Sequence, residues 1–135
     1  MKRFIFFLLI TSAINFGCKE TTTEESIKLV TPDEMKELSQ MDGVQLVDVR
    51  TPEEYQEGYI EGFQNIDFLS DTFLQDVEKL DKEKPVIVYC RSGGRSARCS
   101  KLMVEKGFKK VYDLDGGISK WKSEGNEIVI EPESE

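Results

Sequence analysis

The fold of this chain is decided by residues 86–96, which read Val86-Ile87-Val88-Tyr89-Cys90-Arg91-Ser92-Gly93-Gly94-Arg95-Ser96. The unbroken apolar run that ends at Tyr89 predicts a strand buried on both faces, as in a parallel sheet. After the polar, glycine-rich loop, Cys99, Leu102 and Met103 recur at helical spacing. We therefore predict a strand, a tight loop and a helix, with Cys90 at the entrance to the loop.

Cys90 is the candidate catalytic nucleophile. A strand–loop–helix connection points backbone N–H groups and a helix N-terminus at one small volume, where an anion is stabilised. A thiolate there would use both features, so we predict that the pKa of the Cys90 thiol is lowered. Gly93 and Gly94 lack a Cβ and should let the backbone curl around the sulfur. The candidate substrate-binding residues are those of the loop: Arg91, Ser92, Gly93, Gly94, Arg95 and Ser96.

Three arginines, Arg91, Arg95 and Arg98, cluster near Cys90 in a chain whose formal net charge is −8. One interpretation is a solvated helix start with ordinary surface arginines. We favour the interpretation that these three arginines form a positively charged opening to the site, here called the positive mouth, which attracts a small anion. The reason is that the arginines flank the candidate nucleophile. The acidic balance of the whole chain argues against nucleic acid and anionic membrane surfaces as partners.

The composition of the chain excludes several classes of catalytic and metal site. The 135 residues suffice for one domain, and the chain contains no histidine. Histidine-dependent triads, Cys-His catalysis and histidine metal sites are therefore excluded. The three cysteines, Cys18, Cys90 and Cys99, lack Cys-x-x-Cys spacing, so we predict no metal site and no cofactor. Cys99 is predicted to be a core residue, with a resolving thiol for Cys90 as the alternative.

The N-terminal segment resembles a bacterial lipoprotein signal. A basic start, Lys2-Arg3, precedes the apolar run 4–10, which is too short to span a membrane but fits a signal peptide. We expect residues 1–17 to be removed and Cys18, which follows Gly17, to be lipidated. The domain would then lie outside the cytoplasm, periplasmic or at the surface, with the lipid anchor as its only membrane contact. Because Asn15 and Phe16 depart from the usual site, an ordinary signal peptide or an uncleaved anchor are alternatives.

The remaining chain divides into three parts. Residues 18–26 are polar and predict a flexible tether, and residues 130–135 predict an acidic tail. Between them, residues 27–129 alternate strand and helix patterns, which predicts an α/β domain with a central parallel sheet covered on both faces. Two segments, Thr31-Pro32-Asp33-Glu34 and Thr51-Pro52-Glu53-Glu54, predict helix starts with capping boxes.

Three segments together resemble the rhodanese family of sulfurtransferases. They are Leu46-Val47-Asp48-Val49-Arg50, the loop from Cys90 to Ser96, and Leu114-Asp115-Gly116-Gly117 followed by Trp121. The resemblance implies a single α/β domain in which Cys90 accepts sulfane sulfur from thiosulfate or a persulfide. A thiol or cyanide then removes the sulfur. It also implies that Asp48 and Arg50 brace the region near the loop, although a structural ion pair is at least as plausible as substrate contact.

The segment 58–63 departs from the family pattern. The family usually has His where Tyr59 stands, Pro at Glu61 and a small residue at Phe63. We expect these departures to alter a loop close to the pocket, and they leave the choice of substrate open.

Two other functions fit parts of the sequence. Cysteine-loop phosphatases and arsenate reductases resemble Cys-x5-Arg, whereas four residues separate Cys90 from Arg95 here. That shorter loop should wrap a tetrahedral oxyanion poorly. The loop length therefore favours sulfur transfer over phosphatase or arsenate reductase chemistry. The other alternative is a non-catalytic or sulfur-carrier module that binds a partner. We predict a small anionic sulfur donor and a thiol acceptor as partners, and a monomer.

Overall fold

The computed structural model describes residues 23–132, which form alternating strands and helices. The strands are β1 (Ile27–Val30), β2 (Gln45–Asp48), β3 (Gln64–Asn65), β4 (Val86–Tyr89) and β5 (Val111–Leu114). The helices are α1 (Thr23–Ser26), α2 (Pro32–Ser39), α3 (Pro52–Gln56), α4 (Phe73–Val77), α5 (Gly94–Glu105) and α6 (Gly117–Ser123). The predicted signal peptide, Cys18, the first part of the tether and residues 133–135 lie outside the described residues.

The five strands form one sheet in the order β1-β5-β4-β2-β3, and every pairing is parallel. The predicted α/β fold with a central parallel sheet is confirmed. β4 occupies the centre, between β5 and β2. Because the carboxyl ends of parallel strands meet at one edge, the residue after β4 emerges at the middle of the edge where α/β proteins place their sites.

The side chains of β4 alternate between two apolar cores, one on each face of the sheet. Val86 and Val88 pack with residues of α4 and α5, whereas Ile87 and Tyr89 pack with residues of α2 and α6. All four side chains are fully buried. Burial on both faces explains the continuous apolar run and holds the end of β4 in one position.

Helices α2 and α3 begin as predicted. Thr31 accepts a hydrogen bond from the Glu34 N–H at 3.2 Å, and the Glu34 carboxylate accepts one from the Thr31 N–H at 2.9 Å. Thr51 and Glu54 form the same reciprocal pair. A capping side chain of this kind contributes about 1 kcal/mol to helix stability.

Segments at both ends of the described residues contact the body of the domain. Helix α1, within the segment predicted as a tether, leads directly into β1, and Ser26 is buried. At the other end, Val129 pairs with Tyr59 in an antiparallel bridge with N–O distances of 2.7 and 3.0 Å. Within residues 23–132, no helix has the length and apolar character needed to cross a membrane.

Candidate active site

Cys90 lies at the centre of the carboxyl edge, immediately after β4. Its side chain is almost fully buried, and the Gly93 N–H donates a hydrogen bond to its Sγ at 3.1 Å. The sulfur lies at the floor of a cavity of about 280 Å³ lined by Cys90, Arg91, Ser92, Gly94, Arg95 and Arg98. Of the six predicted substrate-binding residues, Arg91, Ser92, Gly94 and Arg95 line this cavity, whereas Gly93 and Ser96 do not.

The environment of Cys90 favours the thiolate. Burial by itself raises the pKa of the Cys90 thiol, but the Ser96 hydroxyl and the N–H groups of Ser96, Gly93 and Ser92 outweigh burial and lower it. The pKa therefore shifts in the direction that the sequence predicts. The Gly93 N–H, 3.1 Å from the sulfur, has the geometry that a contribution of the loop amides requires.

The backbone conformation requires a glycine at only one of the two glycine positions of the loop. Gly93 has a φ of 110°, a left-handed value that residues with a side chain rarely adopt. Gly94 has an ordinary φ, and a Cβ built on it would meet no atom within 4 Å. The prediction that both glycines allow the turn is therefore right for Gly93 and wrong for Gly94.

The start of α6 holds the outer side of the loop. The Ile118 N–H donates to the Cys90 carbonyl at 3.0 Å, and the Ser119 N–H donates to the Arg91 carbonyl at 3.0 Å. Gly117 permits this approach, because a Cβ there would lie 2.6 Å from the Arg91 carbonyl oxygen and its φ is 58°. The Arg91 carbonyl belongs to the same peptide unit as the Ser92 N–H, which is one of the groups that lower the pKa of Cys90. The sequence indicated Gly117 only through the family resemblance.

Arg95 is paired with a residue that the sequence analysis assigned only to a helix cap. Its two terminal nitrogens donate to the Glu54 carboxylate at 2.6 and 2.7 Å. The Arg95 guanidinium lowers the pKa of Glu54 to about 2. The ion pair joins the first turn of α5 to α3 and offsets much of the Arg95 charge.

Arg91 and Arg98 carry the remaining positive charge at the cavity. Arg91 is exposed, and the Arg98 guanidinium lies 5.6 Å from the centre of the Phe68 ring. Within residues 23–132, neither arginine forms a salt bridge, in contrast to Arg95. The predicted positive mouth is thus formed chiefly by Arg91 and Arg98.

Asp48 and Arg50 form a buried ion pair away from the cavity. Arg50 Nη2 donates to Asp48 Oδ2 at 2.6 Å and to the Gly58 carbonyl at 2.7 Å. The Tyr89 hydroxyl donates to Asp48 Oδ2 at 2.6 Å. Tyr89 faces the core opposite to that of Cys90. The pair therefore fixes the residue before Cys90, and neither side chain lines the cavity.

The residues that depart from the family pattern also lie away from Cys90. The Tyr59 ring stacks on Tyr55 at 4.2 Å, and its hydroxyl donates to Glu131 at 2.8 Å. Phe63 packs edge-on against Tyr89. Glu61 lines a separate groove of about 590 Å³. None of the three lines the Cys90 cavity, so their effect on a loop close to the pocket stays a prediction.

Cys99 is a core residue, as predicted. It is fully buried in the cluster that contains Val88 and Met103, and its thiol is free. Burial raises the pKa of Cys99 to about 12, with smaller contributions from the negative charges of Asp113 and Cys90. A thiol with this pKa stays protonated near neutral pH and is a poor resolving nucleophile.

Comparisons with known proteins agree with this geometry. The family model of the rhodanese-like domain matches residues 31–124. Thiosulfate sulfurtransferase GlpE of Coxiella burnetii is 43% identical over 88 residues, which cover 64% of this chain and 79% of that protein. The GlpE of Pseudomonas paraeruginosa is 30% identical over 99 residues, 73% of this chain and 87% of that protein.

A crystal structure of a rhodanese-related protein from Thermoplasma volcanium has a similar fold, with a TM-score of 0.68 and 27% identity. The similarity covers 77% of this chain and 99% of that structure. The range matched by the family model contains every residue that lines the Cys90 cavity.

Proposed function

This chain belongs to the rhodanese-like domain family, and from that membership we propose that it is a sulfurtransferase that works through a Cys90 persulfide. The observation that carries the proposal is the setting of the Cys90 sulfur. It is buried at the floor of a small cavity, and hydrogen-bond donors lower its pKa. That setting suits a sulfur anion that attacks, carries and releases one further sulfur atom.

The proposed reaction has two displacement steps. The Cys90 thiolate attacks the sulfane sulfur of thiosulfate, the sulfur–sulfur bond of the donor breaks, and sulfite leaves with the electron pair. A thiolate or cyanide acceptor then attacks the terminal sulfur of the Cys90 persulfide, and the Cys90 thiolate leaves. Covalent catalysis of this kind divides one difficult transfer into two easier ones. No external oxidant or reductant is needed, because each step exchanges one sulfur bond for another.

The loop would stabilise the anion at each stage. The N–H groups of Ser92, Gly93 and Ser96 that favour the thiolate would also favour an anionic persulfide. Helix α5 adds the positive end of its dipole to the same volume, an effect worth about 0.3–1 kcal/mol at exposed sites. Arg91 and Arg98 would attract an anionic donor to the mouth of the cavity.

Phosphoryl or arsenate chemistry has less support. Four residues separate Cys90 from Arg95, one fewer than in Cys-x5-Arg loops. The Arg95 guanidinium is also bonded to Glu54 rather than free to bind an oxyanion. A non-catalytic module is less supported too, because a lowered pKa of Cys90 has no function in an inert domain. A sulfur carrier would use the same Cys90 persulfide and stays the alternative.

The assay that tests the function is transfer of sulfur from thiosulfate to cyanide, followed as thiocyanate. Cys90→Ser should abolish the transfer, because the hydroxyl cannot form a persulfide. Cys99→Ala is the matched control and should keep most of the activity, because Cys99 does not line the cavity. Equal activity in the Cys90→Ser and parent proteins would contradict the proposal.

We further propose that Cys18 carries a lipid anchor and that the domain lies outside the cytoplasm in the cell envelope. The support is in the sequence: a basic start, the apolar run 4–10 and the pair Gly17-Cys18. The first described helix, α1, begins at Thr23, five residues after Cys18. At about 3.3 Å per extended residue, that link would keep the domain within roughly 17 Å of the anchor.

A further inference from the structure

The Glu54 carboxylate is held beside the Cys90 cavity by its own helix. Its Oε2 accepts hydrogen bonds from the Thr51 N–H at 3.1 Å and from the Thr51 hydroxyl at 3.2 Å. These contacts belong to the capping box at the start of α3, so they orient the carboxylate independently of any cation. Glu54 therefore presents a preorganised acceptor to the guanidinium that approaches from α5.

Arg95 uses both of its terminal nitrogens on this carboxylate. Nη1 donates to Glu54 Oε2 at 2.6 Å, and Nη2 donates to Oε1 at 2.7 Å. The side chains of Arg95 and Glu54 are 18% and 25% exposed, so salt and water screen the pair less than an ion pair on the open surface. Two parallel N–H groups are also what an arginine offers to two oxygens of an oxyanion. Glu54 occupies that position on Arg95.

The cavity thus contains arginines in two different states. Arg91, Arg95 and Arg98 all line it together with Cys90. Among residues 23–132, Arg91 and Arg98 form no salt bridge, whereas the charge of Arg95 is offset by Glu54. An oxyanion that enters the cavity meets two unpaired arginines, and it must displace Glu54 to use the third.

The two donor classes of the proposed reaction differ in what they require from Arg95. Thiosulfate carries two negative charges and three oxygens, which leave as sulfite and are best bound by a guanidinium. An alkyl persulfide has no oxygens on its sulfurs and carries at most one charge, on the outer sulfur that Cys90 attacks. The Gly93 N–H, 3.1 Å from the Cys90 Sγ, is the donor nearest to that sulfur transfer. The pairing of Arg95 therefore disfavours thiosulfate more than it disfavours a persulfide.

We propose that Glu54 is a specificity-determining residue, which withholds Arg95 from oxyanion donors and shifts the selectivity of the site toward alkyl persulfides. In the favoured transfer, the Cys90 thiolate attacks the outer sulfur of a persulfide RSSH. The sulfur–sulfur bond of the donor breaks, and the thiolate RS⁻ leaves with the electron pair. The outer sulfur and its hydrogen remain on Cys90. The inference rests on the proposed function and names the donor class that this site prefers.

The first test measures oxyanion binding without any sulfur donor. Inorganic sulfate is added at constant ionic strength, and alkylation of Cys90 by iodoacetamide is followed on the Cys90 peptide by mass spectrometry. Each protein is compared with its own rate without sulfate, so a change in the pKa of Cys90 does not enter. Glu54→Gln keeps an oxygen for the Thr51 N–H and has no charge to hold Arg95. It should lower the sulfate concentration that halves the alkylation rate by about tenfold.

Two controls separate the release of Arg95 from a general change in charge. Glu53→Gln removes the same charge from an exposed neighbouring position of α3 and should change sulfate binding by less than about twofold. The double variant Glu54→Gln/Arg95→Gln has the net charge of the parent but no released guanidinium, so its sulfate binding should return to about that of the parent. A tenfold gain that persists in the double variant, or an equal gain in Glu53→Gln, would overturn the inference.

The second test compares the two donor classes. In Glu54→Gln, kcat/KM with thiosulfate should rise about tenfold, because the released Arg95 binds its oxygens. With hydroxyethyl persulfide, which has no charged group besides the persulfide, kcat/KM should change by less than about twofold, since Arg95 has no oxyanion to bind. An equal rise with both donors would contradict the assigned selectivity.

A second variant covers the case in which Glu54→Gln does not fold. Glu54→Asp keeps the charge and shortens the side chain, so it should release Arg95 in part and bind sulfate more tightly than the parent. Unchanged sulfate binding in the folded Asp variant would overturn the inference. Failure of the parent to transfer sulfur from either donor would instead overturn the proposed function, so the two failures are distinguishable.

Discussion

The guanidinium of Arg95 and the carboxylate of Glu54 meet in a two-point ion pair, with N–O distances of 2.6 and 2.7 Å. The pair joins two helices that are distant in the sequence and lies beside the cavity that contains Cys90. It explains why an arginine in the active loop is not available as a free cation. It also ties the first turn of α5, which supplies the Ser96 N–H to the sulfur, to the α3 side of the sheet edge.

Replacement of Glu54 by Gln should weaken the domain in a pH-dependent way. Gln can still cap α3, so the main loss is the charge that pairs with Arg95. Since the pKa of Glu54 is depressed to about 2, its stabilisation is present above the ordinary pKa of 4.5 and is lost as the pH falls toward 2. With allowance for solvent screening, Glu54→Gln should reduce the free energy of unfolding by about 1 kcal/mol at neutral pH.

Urea denaturation of the parent and Glu54→Gln proteins at neutral pH and at about pH 3 measures this difference. Glu53→Gln is the control, because Glu53 is exposed on the same helix and forms no salt bridge within residues 23–132. A constant difference between the parent and Glu54→Gln at both pH values would contradict the ion-pair explanation.

Replacement of Gly117 by Ala should disturb the active loop from outside the cavity. The added Cβ would lie 2.6 Å from the Arg91 carbonyl oxygen, and the φ of 58° disfavours a side chain. We expect the loop to shift and kcat/KM for sulfur transfer to fall by about tenfold or more, because amides misplaced by 1 Å stabilise the sulfur poorly. The measurement is the steady-state rate with thiosulfate and cyanide.

Gly43→Ala provides the matched control. Gly43 also has a left-handed φ, of 80°, but a Cβ there would meet no atom within 4 Å. The variant should lose about 1 kcal/mol of stability and keep its activity. Equal loss of activity in Gly43→Ala and Gly117→Ala would show that backbone strain, not contact with the loop, is responsible.

The sequence predicts the structural features that depend on local patterns and not those that depend on contacts between distant residues. The apolar run of β4 and the two capping boxes are local patterns, and each predicted its element. The pairing of Glu54 with Arg95 joins residues 41 positions apart, so no local pattern reveals it. The orientation of Asp48 away from Cys90 depends on strand alternation within the assembled sheet.

Arg91 and Arg98 should control the affinity for anionic donors more than Arg95 does. Both lie at the cavity, and neither is paired with a carboxylate within residues 23–132. Neutralising either one, as Arg91→Gln or Arg98→Gln, should raise the KM for thiosulfate by about threefold at low salt, with a smaller effect at high salt because ions screen the attraction. Lys101→Gln, an exposed position of α5 that does not line the cavity, is the control. An unchanged KM for thiosulfate in both arginine variants would show that Arg91 and Arg98 form an ordinary solvated surface and do not attract the donor.

The proposed lipid anchor predicts a change in where the protein is found. Replacing Cys18 with Ser should release the protein from the membrane fraction or leave its signal segment uncleaved, because a hydroxyl cannot form the thioether to the lipid. Cell fractionation followed by intact-mass analysis distinguishes the two forms. Equal membrane association of the parent and Cys18→Ser proteins, with neither carrying a lipid, would contradict the anchor.

The central claim is that Cys90 carries a persulfide during turnover, and peptide-mapping mass spectrometry of the thiosulfate-treated protein tests it most directly. Our account predicts that the Cys90 peptide gains the mass of one sulfur atom, that cyanide removes it, and that the Cys99 peptide is unchanged. Cys90→Ser treated in the same way should gain nothing. A Cys90 peptide without a cyanide-labile sulfur, in a folded protein that still produces thiocyanate, would contradict the account.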